Sequence, residues 1–329
     1  MEATTNFTRE QDMFIANQKL SPEELEAKIQ EIILKHQEGI VPSARPIAVV
    51  VGGQPGAGKS GVIGDTLAKL DSNCVIVDND LYRYEHPNFA EINGTHPEIF
   101  TECTDQLSFA TTPRLIDSMI EGKYNMIIHQ TLKNDTIVKS AITKLLEAGY
   151  TVVVRALAVD KVTSMRDELR RGQKELAVGR IPRWVPPQNH DFAYNGLPGT
   201  VGLIEELGKY HMLEIVTRSE NEDDLNAVNV IYRNINPNTP LERRQDLAAN
   251  GFTVSRIPSY PSAEAAVYGG RQMDADKTLS TIEEDLAKMS RVSKTAEERA
   301  RIKRIEDACL DYVMPYVAKK QNGDGSDVN

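Results

Sequence analysis

The sequence predicts an α/β fold: a mainly parallel sheet flanked by helices, with a helical C-terminal extension. Three observations predict it. Gly53-Gln54-Pro55-Gly56-Ala57-Gly58-Lys59-Ser60 fits the phosphate-binding loop pattern G-x-x-x-x-G-K-[ST] at every fixed position. A β-branched run at 47–51 precedes this loop, and apolar residues at helical spacing follow it at 61–70. Strand and helix patterns then alternate as far as residue 157, which implies right-handed crossovers and parallel pairing.

The elements follow in order. Residues 1–20 are polar. Ser21-Pro22-Glu23-Glu24 opens a helix: Ser21 caps it, Pro22 suits the first turn and Glu24 completes a capping box. Leu25, Ile29, Ile32 and Ile33 give it an apolar stripe, and Gly39 can end it. Strand, loop and helix at 47–70 aim backbone N–H groups and the positive helix end at a phosphate chain. Lys59 can then reach the outer phosphates, and the Ser60 hydroxyl can ligate Mg²⁺.

A second buried strand at 74–78 runs into Asp78-Asn79-Asp80. Ligands of open parallel sheets sit just beyond the carboxyl ends of strands, so a carboxylate there is a candidate for chemistry; the alternative is that it caps the next turn. A loop and helix follow at 86–105, then a helix at 113–121. The third strand, 125–129, ends at His129 and the polar turn Gln130-Thr131. A helix at 137–148 and a fourth strand at 151–157 come next. A basic helix at 161–179 carries Arg166, Arg170 and Arg171. The stretch from Arg180 to Pro187 is too proline-rich to be regular. Two further strands are expected at 211–217 and 228–232. Beyond residue 237 the pattern weakens to surface helices at 240–250 and 262–318, then a polar tail. The expected division is a domain at 1–235 and a mostly helical extension at 236–329.

Composition bounds the rest. A chain of 329 residues that is 40% hydrophobic and 26% charged is an ordinary globular protein, long enough for one large domain with additions. A net charge of −10 argues against a nucleic-acid partner but permits a local phosphate site. Cys74, Cys103 and Cys309 are too few and scattered for a disulfide framework or zinc site and read as reduced thiols. No signal-peptide order and no apolar run of ~20 residues is present, so a cytoplasmic protein without membrane contact is expected.

Taken together, these stretches resemble the zeta toxin family, the kinase half of epsilon/zeta toxin–antitoxin pairs. Asn6-Phe7-Thr8, the extended loop Gly52-Gly53-Gln54-Pro55-Gly56-Ala57-Gly58-Lys59-Ser60, Val77-Asp78-Asn79-Asp80 and His86-Pro87-Asn88-Phe89 match in order. So do the strand at 124–128, Thr131, the helix at 158–171, Arg183 and Gln188-Asn189-His190-Asp191. The resemblance covers residues 5–235. It implies a P-loop kinase fold, ATP and Mg²⁺ as cofactors, and phosphorylation of the sugar of UDP-N-acetylglucosamine. It also implies a small antitoxin of the epsilon type as partner.

Residue by residue, the resemblance places Gly53 to Ser60 on ATP. Arg171 and Arg183 fall on the transferring phosphoryl group, Asp80 is the expected general base, and Thr131 contacts the acceptor. Asp78 is then structural or a water-mediated Mg²⁺ partner. The alternatives are a solvated helix face for Arg171, packing on Trp184 for Arg183 and a turn hydroxyl for Thr131. His86 receives no role and His190 a structural one. One position departs: the family carries Glu-Gly-Thr where this chain has His129-Gln130-Thr131. A neutral histidine donates or accepts but carries no negative charge. His129 is therefore the expected acceptor-binding difference. It keeps open a kinase of another small metabolite, such as a different nucleotide sugar or NAD. A non-enzymatic nucleotide-binding module is a third reading, opposed by the presence of Lys59, Ser60 and Asp80.

Overall fold

The structure is a computed structural model that describes residues 7–177, 185, 187–218 and 228–278. In chain order the first elements are α1 (Arg9–Asn17), α2 (Pro22–Gln37), β1 (Ile47–Gly52), α3 (Lys59–Lys69) and β2 (Val75–Val77). Next come α4 (Phe89–Thr95), α5 (Phe100–Glu121), β3 (Met126–Gln130), α6 (Thr143–Glu147) and β4 (Thr151–Leu157). The remainder is α7 (Lys161–Ala177), α8 (Pro187–Glu206), β5 (Met212–Arg218), β6 (Val228–Ile235), α9 (Leu241–Ala249) and α10 (Ala263–Thr278).

One six-stranded sheet has the order β2-β3-β1-β4-β5-β6. Its first five strands are parallel, and β6 closes it antiparallel to β5. Every residue of β1 and β4 is buried, as expected of parallel strands covered on both faces. Ala48, Val50, Ile128 and Val152 face a core shared with α2, α5, α8 and α10. Val49, Val51, Ile127 and Val153 face the core of α3 and α9. Because all five parallel strands run the same way, their carboxyl ends meet on one edge.

Several elements differ from expectation for identifiable reasons. The 1–20 segment contains α1, whose Thr8 and Gln11 form a capping box; its nine residues are too few to read as a helix from pattern alone, and only half-buried Phe14 and Ile15 pack, on a small cluster around Ile92 and Phe100. α5 begins well before Pro113 and runs through it. Proline in a helix interior leaves the carbonyl four residues back without its N–H, here that of Phe109 on an exposed face. A π-type turn at Val138–Ile142 leads into α6 in place of a uniform helix. In the extension, Ala263, Ala266 and Val267 of α10 are fully buried in the main core, where the sequence suggests a surface helix.

Candidate active site

The loop between β1 and α3 has the two left-handed glycines its sequence requires, Gly56 at φ +73° and Gly58 at φ +89°. Gly56 is also hemmed in: a Cβ there would lie 1.8 Å from the Ser164 carbonyl oxygen and 3.1 Å from the Glu168 nitrogen, both on α7. The backbone of α7 therefore lies directly over the loop. Among the described residues no side chain caps the first turn of α3, which leaves its N–H groups for an anion. Lys59 Nζ donates to the carbonyl oxygens of Gly53 (2.7 Å) and Gln54 (3.0 Å), which folds the ammonium over the loop.

The loop is gripped from three sides. Gln54 is fully buried, and its Nε2 donates to the Val159 carbonyl (2.8 Å) and to Ser164 Oγ (3.2 Å). Ser164 Oγ and His190 Nε2 share a hydrogen bond of 2.8 Å. Burial pulls the His190 pKa down to about 4, so this imidazole is neutral near pH 7. Arg218, the last residue of β5, donates from Nη2 to the Gly56 carbonyl (2.7 Å), from Nε to that of Ala57 (3.3 Å) and from Nη1 to Asp167 on α7. Asp167 also accepts from Arg166 (3.1 Å) and Arg170 (3.3 Å). From beneath, fully buried Arg155 ties α3 to the sheet through Asp65 (2.6 Å) and Thr66 (2.8 Å) and reaches Glu214 (2.9 Å). Arg233 holds the other oxygen of Glu214 at 2.6 Å.

A second group of polar residues lies at the ends of β2 and β3. Val77 is in register with Ile128, so Asp78 and His129 follow on adjacent strands. They pair: His129 Nδ1 lies 2.7 Å from Asp78 Oδ2. The other Asp78 oxygen accepts the Asp80 N–H at 3.0 Å. Asp80 is more exposed than Asp78, and its carboxylate lies 3.6 Å from the buried guanidinium of Arg83. Asn79 between them is fixed by Ser108 Oγ, which donates to its carbonyl (2.6 Å), and by Thr112 Oγ1, which donates to its side chain (3.0 Å). Thr131 follows β3, half-buried, beside Leu132 at φ +52°, an uncommon conformation for leucine.

The structure thus assembles Gly53 to Ser60, Asp78, Asp80, His129 and Thr131 along one edge. Arg171 sits on α7 one turn beyond Glu168, half-exposed and paired with that carboxylate. Arg183 and Trp184 lie outside the described residues. His86 is buried between the Gln18 carbonyl (3.1 Å) and the Asn88 N–H (3.2 Å), a structural role. Arg218 carries no role in the sequence reading. Its one signal there is its place, just past an apolar strand whose carboxyl end would reach this edge. The Ser164–His190 bond has no sequence signal, because 26 residues separate the partners. Among the described residues, no group of three or more His, Cys, Asp or Glu side chains could hold a metal ion alone, and no helix is long and apolar enough to cross a membrane.

A mainly parallel sheet with a phosphate loop between its central strand and the following helix defines a P-loop kinase-like fold. Comparison with known proteins narrows this class. The family model described as Zeta toxin matches residues 30–234, and the chain belongs to that family. Toxin PezT of Streptococcus pneumoniae serotype 4 is 27% identical over 180 residues, 54% of this chain and 71% of PezT. Toxin zeta of Enterococcus hirae is 26% identical over 174 residues, 53% of this chain and 61% of that toxin. Among solved structures, a chain of the S. pneumoniae PezAT chromosomal toxin–antitoxin system superposes with a TM-score of 0.63 at 21% identity, covering 83% of this chain and 98% of that one. A chain of the AvrRxo1-ORF1:-ORF2 complex gives a TM-score of 0.51 at 12% identity, covering 92% of this chain and 90% of its own.

Proposed function

We propose that this protein is an ATP-dependent phosphotransferase that phosphorylates a sugar hydroxyl of UDP-N-acetylglucosamine. In this reading it is the cytoplasmic toxin of a toxin–antitoxin system, restrained by a small antitoxin of the epsilon type. One observation carries the reading: a fully formed phosphate loop, with Lys59 folded over it, lies on the same edge as Asp80, His129 and Thr131. Membership of the zeta toxin family supports it, as does likeness to a chain of the PezAT toxin–antitoxin system. The kinase domain is taken as residues 1–235, with 236–329 as an extension.

Phosphoryl transfer asks little covalent help of a protein; it asks for positioned phosphates, neutralised charge and an oriented acceptor. The left-handed loop, the uncapped turn of α3 and Lys59 fit a polyphosphate. ATP, when bound, supplies the phosphoryl group, and Mg²⁺ would be held by Ser60 together with phosphate oxygens. Arg171 and Arg183 neutralise the transferring group. Asp80 takes the proton of the acceptor hydroxyl, while Thr131 and His129 bind the acceptor.

The His129–Asp78 pair bears on which acceptor is used. Alone, a neutral His129 lacks the charge of the family's glutamate at this place. Asp78, 2.7 Å away, belongs to the stretch that matches the family, so the pair presents an imidazole to the acceptor where the family has a second carboxylate. This favours a second reading, a kinase of another nucleotide sugar or of NAD on the same scaffold. Incubation with ATP, Mg²⁺ and a panel of sugar nucleotides plus NAD, with mass spectrometry of products, separates them. A phosphorylated UDP-N-acetylglucosamine product supports the first reading. Another phosphorylated product supports the second, and no product with any of the panel would sink both.

A further inference from the structure

The last described helix, α10, lies beyond the 30–234 span of the family match, yet it touches every element that grips Gln54 of the phosphate loop. Gln54 is held by the Val159 carbonyl and Ser164 Oγ, and Ser164 by His190. Gly270 of α10 packs on the residue before Val159: a Cβ on Gly270 would lie 2.6 Å from Ala158 Cβ. Asp274 accepts the N–H of Asp160 at 2.8 Å, and Asp160 in turn caps α7 by accepting from the Val162 (2.8 Å) and Thr163 (3.3 Å) N–H groups. Arg271 is buried, donates from Nη2 to the Tyr194 carbonyl (2.6 Å) and places its guanidinium carbon over the Tyr194 ring, 3.6 Å from the centroid. The Tyr194 ring stacks in turn on His190, 6.3 Å between centroids and 13° between planes.

A continuous path therefore runs from Arg271 through Tyr194, His190 and Ser164 to Gln54, whose carbonyl receives Lys59. A guanidinium this deeply buried, whose Nε has no hydrogen-bond partner among the described residues, is costly to keep for packing alone. We propose that α10 is a positioning element of the nucleotide site and that Arg271 is its positioning residue. By clamping Tyr194 onto His190, Arg271 fixes the Ser164 hydroxyl that holds Gln54, and so sets the shape of the phosphate loop. This rests on the reading of that loop as a nucleotide site. Helix α10 is then part of the catalytic unit rather than an appendage.

The test uses the full chain and two readouts. Hydrogen exchange of the peptide spanning residues 53–60 reports loop ordering without any ligand. Binding of a fluorescent mant-ATP probe reports nucleotide affinity. In Arg271→Met the loop peptide should exchange severalfold faster while peptides from β1 and β4 do not, and the probe Kd should rise about tenfold. Arg271→Lys should recover part of both, because an ammonium can still donate to the Tyr194 carbonyl. Unchanged loop exchange in a folded Arg271→Met protein overturns the proposal. If that variant does not fold, Arg271→Lys is measured for the residue and Asp274→Ala, which cuts the bond of α10 to the Asp160 N–H, for the helix; unchanged loop exchange in both folded variants overturns the proposal. If the wild type binds no probe, the nucleotide reading falls, and the exchange of the loop peptide alone decides whether α10 positions it.

Discussion

At the scale of single residues, the proposed reaction divides the site into groups that would hold phosphate and groups that would meet the acceptor. Lys59 contributes charge, not core, since its ammonium donates to two backbone carbonyls of its own loop. Lys59→Ala should therefore abolish transfer and toxicity while the thermal melt stays within a few degrees of wild type; unchanged turnover would remove the loop from the reaction. The two carboxylates after β2 part company in the structure. Asp78 is committed to His129 and to the Asp80 N–H, whereas Asp80 is the more exposed of the two and has Arg83 beside it. Asp80→Asn should lower kcat by roughly 10² or more with ATP affinity little changed, the weight of a positioned base. Should Asp78→Asn prove the more damaging in kcat, the base belongs to the Asp78–His129 pair instead. His129→Ala should raise the acceptor KM at least about tenfold and leave that of ATP alone, because its partner and register place it on the β2–β3 side. Equal acceptor kinetics across the sugar-nucleotide panel would reduce His129 to a strand-end residue.

At the scale of elements, the seat of α3 depends on charges buried beneath it. Glu214 on β5 is 2% exposed and serves two arginines from the flanking strands, Arg155 and Arg233. Glu214→Ala leaves both guanidiniums buried without that carboxylate, which should cost about 3–5 kcal/mol. Denaturant unfolding measures this directly, and a loss below about 1 kcal/mol would mean that Asp65 and backbone carbonyls suffice. This cluster also explains a limit of sequence reading. Arg155 sits within an otherwise apolar strand, and nothing local indicates that its partners lie 59 and 90 residues away. The strands themselves were legible, because fully buried parallel strands write themselves as β-branched runs and turn residues bound them. The placement of the loop, Asp80, His129 and Thr131 beyond strand ends was legible for the same reason: each follows such a run. Helix α1 was not, since nine residues with only half-buried Phe14 and Ile15 packing give too short an apolar pattern to detect. The burial of α10 was not either, because Ala263, Ala266 and Val267 are small side chains in a polar stretch.

At the scale of the whole molecule, histidines buried neutral tie the fold to pH. Burial pulls His190 and His211 to about 4 from an ordinary 6.5. His211 has a further reason to stay neutral: its Nδ1 accepts the N–H of Val152 in β4 at 3.0 Å, and a proton on that nitrogen would end the bond. Burial lowers His86 as well. The sign follows from linkage. Below pH 6.5 the unfolded chain takes up protons that the folded chain refuses until about pH 4. Stability from these groups is therefore complete above pH 6.5 and is lost as the pH falls toward 4. Glu102 and Asp160, raised by burial, act in the opposite direction and soften the loss. The wild type should melt several degrees lower at pH 5 than at pH 7. His211→Asn keeps an acceptor for Val152 but cannot titrate, so its Tm should fall less over that interval even if it starts lower. A gap between wild type and variant that stays constant from pH 7 to pH 5 would show that His211 does not couple the fold to protons.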